Sequence, residues 1–122
     1  MFRELKIGAQ TVPMVANGAT SIRYRMVFGK DIISEMQGAE ADNSKVIPAI
    51  SELAFIMAMA AKAQNGEADM NLLNYDQYVT WLEAFGPMDL TMASDDIIRL
   101  YMGNGETKSK SKKNTRDKQN ES

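Results

Sequence analysis

The first hydrophobic pattern along the chain has a period of two. Residues Phe2–Ile7 alternate apolar and polar positions, as expected of a half-buried strand. Residues 8–10 supply a turn, and residues 11–15 return as a second strand that Pro13 confines to a sheet edge. The pattern predicts a β-hairpin over residues 2–15, which helices must cover because two strands alone are marginally stable in water.

Residues 20–28 are compatible with a strand or a helix. Their apolar side chains alternate with two arginines, which is the signal of a strand. The flanks favour a helix instead: Thr20 or Ser21 can cap its start, Gly29 suits the left-handed conformation that ends one, and Asp31 can cap the next. The sequence therefore favours helix, turn, helix, with the second helix over residues 32–37 and a polar loop after it.

The remaining body is predicted to form three helices. Residues 45–64 carry apolar side chains at helical spacing and become apolar nearly all round, which is typical of a central helix. Asn74 and Gln77 have the spacing of a capping box and begin a helix over residues 75–85. A last helix covers residues 95–102. The pattern leaves open whether the residues just before it are helix or loop.

The chain divides into an acidic body and a basic tail. Residues 1–105 hold 8 basic and 13 acidic side chains, a net charge of −5, whereas residues 106–122 hold 6 basic and 3 acidic ones, a net of +3. The tail has no large apolar side chain to offset its ordering entropy, so it is predicted to be disordered. We expect one α+β, mainly α domain over residues 1–105, a β-hairpin packed on a bundle of four to five helices, followed by a disordered Lys/Ser-rich tail.

Composition argues against an enzyme. The chain has no cysteine and no histidine, which removes thiolate nucleophiles, Cys/His zinc sites and the commonest general base. Asp95 and Asp96 are adjacent, and neighbouring side chains of a helix point about 100° apart, so the pair does not face one reacting atom. Ser94 as a cap with two acids in the first turn is the simpler interpretation. We expect no catalytic residue, metal or cofactor, and the longest apolar runs are too short for a membrane span.

The lysines of the tail suggest nucleic acid as a partner, but weakly. No aromatic side chain lies among them to stack on bases, three acids dilute their charge, and an acidic body repels polyanions. Nucleic acid is therefore an unlikely partner.

Large apolar side chains mark a candidate partner surface in the C-terminal half. Trp81 and Phe85 lie on one helical stripe, and Met88 and Met92 follow in a chain with ten methionines among 122 residues. An aromatic stripe is usually core, yet exposed tryptophan is a frequent binding hot spot, and methionine fills gaps in cores as well as lining adaptable surfaces. The sequence alone leaves both interpretations open.

One short motif resembles a known family. Tyr24-Arg25-x-x-Phe28-Gly29-Lys30-Asp31, followed by two isoleucines, is similar to the N-terminal region of tail assembly chaperones from long-tailed siphophages of Gram-positive hosts. The resemblance covers roughly residues 1–103. Within the motif, Arg25 and Asp31 are expected to pair and fix the two helices against each other, or to contact the protein that the chaperone binds.

The resemblance implies a function. Such chaperones bind the tape measure protein, keep it soluble in the host cytoplasm until tail tube subunits polymerise, and are not expected in the mature virion. Relatives also occur as a longer form made by a −1 ribosomal frameshift, which engages tail tube protein, and Lys112 and Lys113 mark the candidate frameshift position here. A second copy of this chain is a further candidate partner, through formation of a homo-oligomer. The alternatives are a small nucleic-acid-binding accessory protein, using Arg23, Arg25, Lys30 and the tail, and a structural phage subunit.

Overall fold

The computed structural model describes residues 1–41 and 46–103. In these ranges an antiparallel hairpin precedes six α-helices, which confirms an α+β, mainly α fold with one helix more than the expected four to five. The elements are β1 (Phe2–Ile7), β2 (Gln10–Val15), α1 (Thr20–Phe28), α2 (Ile32–Ala41), α3 (Val46–Gln64), a short 3-10 helix (Met70–Leu72), α4 (Tyr75–Leu82), α5 (Asp89–Met92) and α6 (Ser94–Met102). Lys45 and the tail, including Lys112 and Lys113, lie outside the described residues.

The hairpin has a tighter turn than the sequence predicted. Gln10 pairs with Ile7, so only two residues connect the strands, and Gly8 takes a positive φ of 62°. A Cβ on Gly8 would lie 2.2 Å from the Asp89 carboxylate, so glycine is also required by the approach of α5. The buried side of the hairpin packs on α3, α5 and α6, which supplies the cover that two strands need.

The central helix is confirmed as α3. It contacts β2 and every other α-helix of the described chain, and its middle turns are buried on all sides. The fully buried residues of these turns are Leu53, Ala54, Phe55, Ile56 and Met57. A helix that is apolar all round belongs in the interior, and α3 is the element on which the fold is assembled.

The segment over residues 20–28 is a helix, and the strand alternative is wrong. Gly29 ends α1 with a φ of 70°, and its N–H donates to the Arg25 carbonyl. Asp31 Oδ2 then accepts from the Ser34 N–H at 3.0 Å, which caps α2 as predicted. Thr20 is the first helical residue, and its predecessor Ala19 provides no side-chain cap.

Three predicted helix boundaries, two ends and one start, were wrong. The second helix does not stop at residue 37 but continues through Gly38 to Ala41, since the next three residues, Ala-Glu-Ala, are strong helix formers that offset one glycine. The fourth stops at Leu82 rather than at residue 85, because the chain tightens into i to i+3 hydrogen bonds there. The last helix begins at Ser94, so Ser94 is not its cap, and the preceding residues form the separate helix α5.

Candidate partner-binding surface

A buried carboxylate connects α3 to the motif. Glu52 lies on α3 with 6% of its surface exposed, and its Oε1 accepts a hydrogen bond from the Tyr24 hydroxyl at 2.7 Å. Lys30 Nζ lies 3.1 and 3.2 Å from the two carboxylate oxygens. A buried charge is tolerated only when it is paired and hydrogen-bonded, and these two donors satisfy that condition. Tyr24 and Lys30 therefore hold α1 and the following turn against α3.

Burial also changes the acidity of the two tyrosines near this carboxylate. The pKa of Tyr24 is raised well above its ordinary range, first by burial and then by its hydrogen bond to Glu52. Burial, with a smaller contribution from the Glu52 charge, raises the pKa of Tyr78 from 10.0 to about 12, although a hydrogen bond to Ser51 acts in the opposite direction. Both phenols are neutral hydrogen-bonding groups at neutral pH.

These shifts predict a loss of stability in alkali. Because the pKa of Tyr78 is raised on folding, the unfolded chain loses its proton first, so the contribution to stability is complete below pH 10.0 and declines as the pH approaches about 12. We expect the free energy of unfolding of wild type to fall more steeply over this range than that of Tyr78→Phe, as measured by urea denaturation at each pH. Parallel pH profiles would contradict this prediction.

The rest of the motif separates into structural residues and one exposed arginine. Phe28 packs against Phe55 and Tyr78, with ring centroids 6.4 and 5.2 Å away. Asp31 is used as the cap of α2 and does not form the expected ion pair with Arg25. The Arg25 side chain is exposed and has no hydrogen bond or ion pair within residues 1–41 and 46–103.

Trp81 and Phe85 belong to a cluster of aromatic rings. Their centroids lie 4.9 Å apart in an edge-to-face arrangement, and Trp81 lies 5.8 Å from Phe55 of the core. Both rings are half-buried, so one side of each packs inward and the other reaches solvent. The two interpretations of this stripe are thus combined in the same side chains.

Each ring of this aromatic pair lines a different groove. An open groove of about 420 Å³ between α3 and α4 is lined by the apolar side chains of Phe55, Met59 and Trp81 together with five polar or charged residues. A second groove of about 310 Å³ lies between the end of α4 and α5, and its apolar lining includes Phe85 and Leu90. The edge-to-face contact of Trp81 and Phe85 joins one lining residue of each groove.

Met88 immediately precedes α5 and Met92 is its last residue, and their chain neighbours Pro87 and Thr91 line the second groove. They are one turn apart and are 59% and 81% exposed, so neither fills the core. Flexible, polarizable side chains at such exposure provide an adaptable apolar surface. We define the C-terminal apolar surface as Trp81, Phe85, Met88 and Met92.

Two features of the structure were not predicted from the sequence. Glu52 was not singled out, although it is the only charged residue between positions 46 and 61, and a lone carboxylate in an apolar helix indicates a buried partner. The exposure of Ile22 and Met26 on α1 was not predicted either, because the period of the apolar residues does not show which side of that helix packs on α3.

The described part of the chain contains neither a candidate metal site nor a candidate membrane-spanning helix. Residues 1–41 and 46–103 contain no group of three carboxylates, histidines or cysteines placed to hold a metal ion. Over the same ranges no helix has the length and apolar character needed to cross a membrane.

Comparison with family models, with curated proteins and with solved structures found no significant match to this chain.

Proposed function

We propose that this chain is a siphophage tail assembly chaperone that binds the tape measure protein and keeps it soluble until tail tube subunits assemble around it. The motif from Tyr24 to Asp31 supports the family assignment through its resemblance. The observation that carries a binding role is the C-terminal apolar surface, which combines the exposed side chains of Met88 and Met92 with the half-buried rings of Trp81 and Phe85.

The chemistry of this surface suits a helical client. A long amphipathic chain exposes apolar stripes that would otherwise associate with each other, and a chaperone must cover them without demanding one sequence. Helices dock into grooves through side chains at i, i+3, i+4 and i+7, and methionine adapts to varied partners. Many copies along one client would convert weak single contacts into strong total binding through effective concentration.

The proposal includes a longer frameshifted product that recruits tail tube protein. Lys112 and Lys113 mark where adjacent lysine codons would allow the ribosome to slip. Nucleotide sequencing of the gene tests this part alone: an A-rich heptamer at these codons is expected, and its absence would remove the frameshift from the proposal.

The binding role is tested by co-expression of the full chain with the tape measure protein of the same phage. We expect co-purification and a soluble client with wild type, and at least a fivefold loss of both with the double variant Met88→Ser, Met92→Ser. Both side chains are exposed, so the free energy of unfolding should change by no more than about 0.5 kcal/mol. Met102→Ser removes an exposed methionine at the end of α6 and serves as the matched control.

Two outcomes would contradict this function. A folded wild-type chain that neither binds nor solubilises the client would exclude the chaperone role. Retention of the chain in purified virions would instead favour a structural tail subunit.

A further inference from the structure

The solvent side of α1 carries two large apolar residues in line. Ile22 and Met26 are 61% and 62% exposed and lie one helical turn apart, whereas Thr20 and Tyr24 on the opposite side are buried. The attachment of α1 to the core does not depend on these two side chains. It is provided by the hydrogen bond from Tyr24 to Glu52 and by the packing of Phe28 against Phe55.

The same face is positively charged. Arg25 lies beside Met26, and Arg23 lies at the edge, where its Nη1 donates to Asn71 Oδ1 at 2.9 Å. Within residues 1–41 and 46–103 neither Arg23 nor Arg25 forms an ion pair with a carboxylate, although residues 1–105 carry a net charge of −5. A cationic, apolar strip on an otherwise acidic body is complementary to a partner that is both apolar and anionic.

Neighbouring elements extend the apolar area. The bond from Arg23 to Asn71 places the 3-10 helix beside α1, and the Phe28 ring lies 6.4 Å from Tyr75 at the start of α4. Leu72 and Tyr75 are themselves exposed in this region. Exposed apolar side chains are therefore present on the elements next to α1 as well as on α1 itself.

We propose that the outer face of α1, formed by Ile22, Arg25 and Met26 with Arg23 at its edge, docks an amphipathic helix whose apolar stripe is flanked by carboxylates. In the context of the proposed function, on which this inference rests, such a helix is the segment of the client that this face selects. Two apolar residues at i and i+4 form a ridge that fits the groove of another helix. The planar guanidinium of Arg25, free of intramolecular partners in the described chain, can bind a carboxylate through two hydrogen bonds.

Two synthetic peptides test the chemistry of this face without the client. Both are fluorescein-labelled helices with the same leucine stripe, one flanked by glutamates and the other by lysines, and binding to the full chain is followed by fluorescence anisotropy. We expect the glutamate peptide to bind at least tenfold more tightly, with an affinity that falls as salt is raised. Equal binding of the two peptides would overturn the proposal.

Variants locate the site. Arg25→Glu should abolish the preference for the glutamate peptide, and Met26→Ser should weaken the binding of that peptide about fivefold. Lys6→Glu makes the same charge change on the hairpin and is the matched control, so it should leave binding of the glutamate peptide unchanged. Unchanged binding by Arg25→Glu and Met26→Ser would overturn the proposal.

Other occupants give different results. If wild type binds vesicles of anionic phospholipid through Arg25 but not the glutamate peptide, the partner is a membrane. If light scattering shows a dimer that Arg25→Glu dissociates, the occupant is a second copy of this chain. Either result overturns the proposal. Because the peptide assay does not involve the tape measure protein, its failure is distinguishable from failure of the co-expression experiment.

Discussion

Replacing Phe55 with alanine is expected to lower the free energy of unfolding by about 4 kcal/mol, the usual cost of removing a fully buried aromatic ring. Phe55 has no exposed surface, and its ring lies within 6.4 Å of Phe28, 5.6 Å of Tyr78 and 5.8 Å of Trp81. Its loss removes the common contact of α1, α3 and α4. Urea denaturation followed by far-ultraviolet circular dichroism measures the change.

The matched control is Tyr75→Ala. Tyr75 contacts Phe28 and Tyr78 as well, at 6.4 and 5.5 Å, but it is 59% exposed, so its removal should cost less than about 1 kcal/mol. Similar losses for the two variants would show that the aromatic cluster is not centred on α3.

The second large effect concerns the carboxylate of Glu52. Glu52→Leu leaves the buried Tyr24 hydroxyl without its acceptor and should cost about 3 kcal/mol, and Tyr24→Phe should cost about 2 kcal/mol because a hydrogen bond to a charged group is lost. The double variant should lose less than the sum, since an apolar pair leaves no unsatisfied hydroxyl. Lys30 remains partly in water, with 39% of its side chain exposed.

A double-mutant cycle measures this coupling. Additive losses for Tyr24→Phe and Glu52→Leu would mean that the hydroxyl and carboxylate do not act together. Tyr24 would then hold α1 through the packing of its buried ring against Phe28, whereas a strong coupling would show that its hydroxyl contributes as well.

Local signals predicted much of this fold. The capping box of Asn74 and Gln77 is formed from both sides, and Gly29 and Asp31 end one helix and begin the next as the sequence indicated. Such features depend on residues three or four positions apart, so they can be identified without knowledge of tertiary structure. The predicted end of α2 at residue 37 is wrong because the polar stretch that follows, taken as a loop, begins with three helix formers after its glycine, and these continue the helix to Ala41.

The candidate sites were less accessible to prediction. The partners of Glu52 are 22 and 28 residues away, and no periodicity indicates that they meet. Arg25 and Asp31 do not form the expected ion pair. The Asp31 carboxylate instead caps α2 by accepting a hydrogen bond from the nearby Ser34 N–H. Which residues of α1 face solvent is decided by how that helix packs on α3, and that packing is a property of the whole domain.

The position of Trp81 has a practical consequence for studying binding. It is the only tryptophan of the chain, and it lines the groove between α3 and α4 with its ring half-buried. Indole emission responds to the polarity around the ring, so a client covering this groove would shift the intrinsic fluorescence of the unlabelled protein. The outer face of α1 contains no such fluorophore, and its occupation should leave the emission spectrum largely unchanged. The native protein therefore carries its own optical reporter for one surface and not for the other.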